Sequence, residues 1–130
     1  MKNHRISLLW VTAFLMTHIL MAEDAKKEFV EIETIVFVKS EYQSKDMVRL
    51  IDDTFTRIRR GEDFRALAKK VSDGSVNYRE HLVDTATLLQ PVQNALKRLE
   101  PGETSDLIVT DKSYIIVKLI RRPKANSPRQ

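Results

Sequence analysis

Apolar residues recur at helical spacing in the last third of the chain and mark one amphipathic helix. Pro91 suits the first helical position, where its missing N–H costs no hydrogen bond. Pro101 and Gly102 cannot continue a helix and mark its end. The apolar positions in between follow a period of three and four residues and predict a helix over 91–99: Val92, Ala95, Leu96 and Leu99.

β-Branched residues dominate the two segments that follow this helix. Residues 107–109 and 114–120 are rich in Ile and Val, and a polar Thr-Asp-Lys-Ser run at 110–113 separates them. Such residues favour strands, and a short polar run between two strands favours a turn. The pattern predicts a hairpin that closes the fold.

A third apolar segment, residues 32–38, alternates with polar residues only at its beginning. Ile32 and Thr34 alternate with Glu33, whereas every residue at 35–38 is apolar. A strand that is apolar on both faces belongs in the middle of a sheet that is covered on both sides. We therefore expect this strand near the centre of the sheet.

Two helical patterns lie between this strand and residue 73. Ser40 and Gln43 have the spacing of a capping box, and helical spacing then continues to Gly61 through four apolar positions: Val48, Ile51, Phe55 and Ile58. A second helix after Gly61 would carry one apolar face: Phe64, Leu67, Ala68 and Val71. The sequence predicts one long helix and one shorter helix.

The first 22 residues have the order of a secretory signal peptide. Lys2 and Arg5 precede an apolar run at 6–21, and Ala22 is the small residue after which we expect cleavage. An uncleaved membrane anchor is the alternative, although the run is short for a span of roughly 20 residues. We expect a charged lead-in at 23–31, a folded domain at 32–121 and a disordered basic tail at 122–130.

Composition limits the chain to one domain and excludes cysteine chemistry. With 130 residues, 42% of them hydrophobic and 31% charged, the chain has the balance of an ordinary globular protein. Without cysteine it forms no disulfide, zinc ribbon or thiolate nucleophile. The net charge of +4 is mild, and the basic tail lacks interleaved aromatic residues, so we expect no nucleic-acid partner.

Two segments of the chain resemble parvulin-type (PpiC, rotamase) peptidyl-prolyl cis-trans isomerases. Residues 61–73 read GEDFRALAKKVSD, similar to the Gly-Glu-Asp-Phe-x-x-Leu-Ala-x-x-x-Ser-Asp motif that joins the first two helices of that family. Residues 99–103 are similar to its Leu-x-x-Gly-Glu turn, and residues 113–119 to its last strand, Gly-Tyr-His-Ile-Ile-Lys-Leu. The resemblance spans about residues 32–121.

The resemblance implies a fold and a substrate class. The fold is the α+β, FKBP-like superfold of parvulins, a four-stranded antiparallel sheet wrapped by about four helices. Its first and last strands would be neighbours near the centre, and the weakest strand would fall at 82–85. The implied partners are unfolded or proline-containing polypeptide segments, and no cofactor or metal is implied.

The resemblance also implies a pocket for the proline ring. Leu88 and Val92 fall on the positions of a Met and a Phe that line this pocket in the family, and Leu82 or Val83 would supply a further wall. These side chains are apolar but smaller than those of the family.

The polar centre of the family has no counterpart in this sequence. Ile35 and Ile115 fall on the positions of its two adjacent histidines, and Gly74 falls on the position of its Cys or Asp. His81 is the only histidine that remains after removal of 1–22, so no shifted alignment restores a histidine pair. We therefore assign no catalytic residue and place Ile35 and Ile115 with the substrate-binding residues.

Other candidate sites have plainer interpretations. Glu80, His81 and Asp84 could form a metal or acid–base cluster, but metal sites usually need three or four ligands, and a solvated loop is the favoured interpretation. The remaining candidates are better explained as solvated helix charges or as packing: Asp52, Asp53, Arg57, Arg59, Arg60 and Tyr114.

Three hypotheses for function follow. The first is a periplasmic or secreted isomerase that helps exported proteins fold, with Leu88 and Val92 gripping proline. The second is a non-catalytic chaperone or assembly module that keeps the apolar cleft, which is favoured by Ile35, Gly74 and Ile115. The third is a scaffold in which the cleft is filled from within.

Overall fold

The structure is a computed structural model that describes residues 27–73 and 82–124. In these residues four strands and three α-helices form an α+β fold. In chain order they are β1 (Phe29–Val38), α1 (Ser44–Arg59), α2 (Phe64–Val71), β2 (Val83–Asp84), α3 (Gln90–Leu96), β3 (Ile108–Val109) and β4 (Ser113–Arg121). Single 3-10 turns occur at Lys39–Glu41 and Thr85–Thr87.

The four strands form one antiparallel sheet in the order β2-β1-β4-β3. The first and last strands are therefore neighbours at the centre, which confirms the predicted arrangement. β1 begins at Phe29, so the last three residues of the predicted lead-in belong to the strand. The strand predicted at 82–85 is β2, which is two residues long.

Hydrophobic cores cover both faces of the sheet, because side chains of successive strand residues point to opposite sides. The face under α1 and α2, called the α1 face, buries Ile35, Phe37, Met47, Phe64, Leu67, Ala68 and Ile116. The face under α3, called the α3 face, buries Val30, Ile32, Val92, Leu96, Ile108, Ile115, Val117 and Leu119. This double coverage explains why residues 35–38 are all apolar.

The long helix begins later than the sequence predicts. α1 follows Gln43, whose side chain makes no capping hydrogen bond, and the Ser40 hydroxyl lies 3.4 Å from the Glu41 carboxylate instead. The predicted Ser40 and Gln43 capping box is thus wrong, because residues 39–41 form a 3-10 turn. Gly61 separates α1 from α2 at a φ of 83°, and Asp63 caps α2 by accepting from the Ala66 N–H.

The described residues contain three α-helices rather than about four. The helix predicted over 91–99 also stops early, at Leu96. The N–H groups of Arg98 and Leu99 bond to carbonyls three residues back, which tightens the chain into a turn. No helix in the described part of the chain is long and apolar enough to cross a membrane, and the predicted signal peptide lies outside that part.

The beginning of the predicted basic tail is attached to the domain. Arg122 donates from Nη2 to the Leu96 carbonyl at 2.8 Å, and its guanidinium pairs with Glu28. Arg121 pairs with Glu31 at 3.0 Å. The two arginines therefore tie the end of β4 to the beginning of β1 and to α3, while residues 125–130 lie outside the described residues.

Candidate functional site

The β1 and β4 register separates two of the predicted site residues. Ile115 lies opposite Val36 on the α3 face, whereas Ile35 lies opposite Ile116 on the α1 face. Ile35 is fully buried among side chains of α1 and α2. The prediction that Ile35 shares a cleft with Ile115 is therefore wrong, because a shift of one residue along a strand moves a side chain to the other face.

Thr34 and Val36 are the β1 residues that share a face with Ile115. Thr34 lies opposite Val117, diagonal to Ile115, and is half-buried. At the centre of this face, Ile115 is therefore adjacent to Val36, which lies directly opposite, and to Thr34, which lies diagonally opposite. Among these positions only Thr34 carries a polar group, a hydroxyl, so this part of the sheet offers no acid or base that titrates near neutral pH.

Leu88, Val92 and Ile115 come together in the core of the α3 face. Val92 is 5% exposed and Ile115 is 7% exposed, while Leu88 packs against them and stays half-buried. Two hydrogen bonds fix the segment that carries Leu88. Its N–H donates to the Thr85 carbonyl at 3.2 Å, and its carbonyl accepts from the Gln93 amide at 2.8 Å.

The other residues singled out in the sequence lie in or directly before β2, or outside the described residues. Leu82 is 45% exposed, directly before β2, and Val83 within β2 is half-buried. Gly74 and His81 lie outside the described residues. The α3 face thus offers the half-buried Leu88 as an accessible apolar side chain, and such a side chain beside an apolar core can bind an apolar group of a ligand.

Ser72 and Asp73 hold the chain that follows α2 against β1. Val36 donates its N–H to the Ser72 hydroxyl at 2.9 Å, and Asp73 donates its N–H to the Val36 carbonyl at 2.8 Å. The Asp73 carboxylate accepts from the Val38 N–H at 2.9 Å and from the Tyr42 hydroxyl at 2.6 Å. The last bond, together with burial, raises the pKa of the Tyr42 hydroxyl.

The anchoring role of Ser72 and Asp73 was not predicted from the sequence. The available signal was the Ser-Asp pair at the end of the motif in residues 61–73. The partners, Val36 and Val38, are more than 30 residues away along the chain and only the folded sheet brings them within reach. The pair fixes the position of residue 73, directly before Gly74.

An ion-pair cluster accounts for Arg57 at the end of α1. Its guanidinium donates two hydrogen bonds of 2.7 Å to the Glu62 carboxylate and lies 3.7 Å from Asp53. Lys70 approaches Glu62 at 3.4 Å. Arg57 lowers the pKa of the Glu62 carboxyl, and Glu62 raises that of Arg57. These charges tie α1 to the Gly61 turn and to α2.

The remaining candidate chemistry is not assembled by the described residues. They contain no group of three or more His, Asp or Glu side chains that could hold a metal ion. Asp84 instead accepts from the Ala86 N–H at 3.0 Å and caps a 3-10 turn. Tyr114 packs on the α1 face under the Lys39 ammonium, 4.9 Å from its ring centre, and so faces away from Leu88 and Val92.

A family model decides the family membership of the chain. The Rotamase model, the PPIC-type PPIase domain, matches residues 18–121 and so covers most of the chain, including every described strand and helix. The chain belongs to the PPIC-type PPIase family. The parvulin resemblance noted in the sequence is confirmed. A comparison with curated proteins gave no match.

Solved parvulin structures share the fold of this PPIC-type domain. The peptidylprolyl isomerase PrsA from Bacillus cereus superposes with a TM-score of 0.58 at 20% identity, over 81% of this chain and 39% of that chain. The foldase protein PrsA from Streptococcus pneumoniae gives 0.58 at 21% identity, over 88% and 46%. TbPIN1 gives 0.59 at 18% identity, over 75% and 99%.

These similarities establish the parvulin fold and define the extent of the match. The chain spans less than half the length of either PrsA structure, whereas it matches nearly all of TbPIN1. At identities near 20% they carry the fold alone. The predicted α+β fold with a four-stranded antiparallel sheet is confirmed.

Proposed function

We propose that this chain is an exported, foldase-type PPIC domain that binds extended, proline-containing polypeptide segments without a polar catalytic centre. Leu88, which packs on the core cluster that contains Val92, forms the centre of the binding surface. Family membership supports the substrate class, because the PPIC-type model matches residues 18–121. The half-buried Leu88 supports the location, because it packs on the core and still reaches solvent.

The chemistry of prolyl isomerisation explains why an apolar surface suits this substrate. The barrier to rotation about a peptide bond is about 18–20 kcal/mol because resonance is lost in the twisted amide. An enzyme must hold the proline ring and favour the twisted amide over the planar one. Holding the ring needs only apolar contacts, and the rate increase needs further groups around the amide. A thousandfold acceleration corresponds to about 4 kcal/mol.

The observation that carries the proposal is the pairing of Val36 with Ile115 at the centre of the α3 face. Apolar side chains at both positions leave neither strand with an unpaired polar group, so the pairing is compatible with a stable core. The same pairing leaves the amide of a bound peptide without a charged or imidazole partner from these two positions. We therefore expect the domain to bind the peptide without accelerating its isomerisation.

A second candidate is a weak isomerase. Thr34 favours it, because this half-buried residue lies diagonal to Ile115 and carries the polar group of β1 on this face. A hydroxyl can donate a hydrogen bond to a twisted amide, although it supplies no charge. This candidate predicts acceleration of X-Pro isomerisation that Thr34→Val abolishes.

Export is the part of the proposal that rests on residues 1–22 alone. Their basic start, apolar middle and small final residue support a signal peptide and a periplasmic or secreted domain. A membrane-anchored domain facing the periplasm is the alternative. Mass measurement of the native protein separates the two: a chain that begins at Glu23 supports cleavage, and one that retains Met1 supports the anchor.

Binding of an X-Pro peptide to the full chain and to two aspartate variants tests the proposal. Leu88→Asp places a carboxylate on the proposed surface and is expected to weaken binding at least tenfold. Leu89→Asp is the matched control, because the Leu89 side chain is 57% exposed and sits at the helix N-cap, where Asp is favourable. Equal binding by both variants would contradict the proposed surface.

Unfolding of Leu88→Asp would instead support the scaffold hypothesis, in which Leu88 is needed for the core. Leu88→Met separates the cases, because it conserves volume and keeps the surface apolar. We expect Leu88→Met to fold and to bind the peptide as the unaltered chain does. A folded Leu88→Met that no longer binds would contradict the proposal.

A further inference from the structure

The backbone of β3 has an open hydrogen-bonding edge. Of the strands that the structure describes, β3 lies at one end of the sheet beside β4, with Val109 opposite Tyr114. The neighbouring Thr110 donates its N–H to the Ser113 carbonyl at 2.9 Å. Hydrogen-bonded and non-hydrogen-bonded pairs alternate in an antiparallel ladder. The N–H and C=O of Val109 therefore point away from β4, towards the edge.

Two clefts flank this edge, one on each face of the sheet. On the α3 face, a cleft of about 460 Å³ lies between α3 and residues 104–109 and includes Pro91, Ala95 and Leu107. On the α1 face, a cleft of about 410 Å³ lies between the first half of α1 and Tyr114 and also includes Leu107. Both clefts therefore meet at the segment that carries β3.

We infer that the β3 edge binds an extended segment of an unfolded polypeptide by strand addition. An added strand would pair its backbone with Val109, whose side chain is 57% exposed. Successive side chains of an extended chain point to opposite faces of the sheet. Alternate side chains of the bound segment enter the α3-face cleft, and the others enter the α1-face cleft.

The charges around the edge select a segment without net charge. The α3-face cleft carries one cation and one anion, Arg98 and Asp106. The α1-face cleft likewise carries Lys39 and Asp52, and the Lys39 ammonium already donates to the Thr110 carbonyl. Because each cleft balances its own charges, a strongly acidic or basic segment gains nothing from either, and uncharged side chains fit both.

A flexible segment suits the edge better than a second folded copy of this chain does. Pairing of β3 with β3 of another copy would need alternate side chains of that copy in the clefts. Ile108 is only 7% exposed and is committed to the core of its own domain, so a folded copy has no side chain to offer the α3-face cleft. An unfolded polypeptide keeps all its side chains available.

This inference rests on the proposed function only in the class of partner, since β3 is a different surface from Leu88 and Val92. A proline-free probe separates the two: a capped octapeptide of alternating Val and Thr. Titration of the full chain with this octapeptide is expected to shift the amide resonance of Val109 and to slow the hydrogen exchange of that amide. A shift centred on Leu88 and Val92, or no binding, would overturn the inference and leave the proline-peptide test intact.

Proline substitution tests the hydrogen bond from the edge. Val109→Pro removes an N–H that points away from β4, so the internal ladder is kept, and octapeptide binding is expected to weaken about tenfold. Asp111→Pro is the matched control, because the turn at 110–113 lies outside the edge and binding is expected to stay unchanged. Unchanged binding by Val109→Pro, or a dimer of the full chain that Val109→Pro dissociates, would overturn the inference.

Discussion

Val36 and Ile115 face each other across β1 and β4, on the face of the sheet that α3 covers. Their pairing places an apolar contact in the middle of a PPIC-type fold. Leu88 and Val92 complete the same core from the segment before α3 and from α3 itself. Apolar side chains therefore occupy both the centre of this face and the segment that leads into α3.

A double-mutant cycle on Val36 and Ile115 measures how this centre tolerates histidine. Each single change to His buries an imidazole without a partner and is expected to lower the free energy of unfolding by about 1–3 kcal/mol. Directly opposite residues can hydrogen-bond to each other, so the Val36→His and Ile115→His double variant is expected to lose less than the sum. Urea unfolding gives the coupling energy. Strict additivity would mean that the two side chains do not meet.

The assignment of Ile35 to the α1 face gives a prediction about stability and binding. Ile35→Val removes one buried methylene and is expected to lower the free energy of unfolding by about 0.5–1.5 kcal/mol. Because Ile35 lies on the opposite side of the sheet from Leu88, X-Pro peptide binding is expected to stay the same. Parallel urea unfolding and peptide titration check both parts. A change in affinity without a loss of stability would return Ile35 to the binding surface.

The bond between Tyr42 and Asp73 predicts an alkaline dependence of stability. The folded-state pKa of Tyr42 lies above its ordinary value of 10.0, so its contribution is complete below pH 10 and is lost as pH rises through the folded pKa. Tyr42→Phe is expected to cost about 1 kcal/mol at neutral pH and to lessen this alkaline loss. Urea unfolding at pH 8 and above pH 10 measures it. An identical pH profile in the variant would contradict the role of the bond.

The pair of Arg57 and Glu62 predicts the opposite, acid dependence. The folded-state pKa of Glu62 lies below its ordinary value of 4.5, so its contribution is present above that pH and is lost as pH falls through the folded pKa. We expect the Glu62→Gln variant to lack this part of the acid dependence of its stability. Asp111→Asn, a change in the exposed turn, is a control for general charge. Thermal unfolding between pH 3 and pH 7 compares them; matching curves for Glu62→Gln and the unaltered chain would contradict the prediction.

Periodicity predicted the elements of the fold because hydrophobic burial decides them. The all-apolar run at 35–38 predicted a central strand, and β1 is covered on both faces. Local hydrogen bonds depend on backbone geometry, which the spacing of apolar residues does not specify. Ser40 has capping-box spacing, yet the 3-10 turn at Lys39–Glu41 moves the beginning of α1 to Ser44.

The site was harder to predict because the histidines expected from the family resemblance are missing from the sequence. Without a histidine in β1, nothing in the sequence distinguished Thr34 from Ile35, and a shift of one residue reverses the face of the sheet. The edge at Val109 depends on the register between β3 and β4 and on helices distant in the chain. Such features arise only when the strands are paired.

The exchange rate between the cis and trans forms of a bound X-Pro peptide tests the central claim most directly. In one sample with the full chain, nuclear magnetic resonance reports both binding and exchange of the peptide. We predict binding that Leu88→Asp weakens and an exchange rate equal to that of the free peptide. Faster exchange that Leu88→Asp abolishes would show that the apolar surface catalyses isomerisation and would contradict the account.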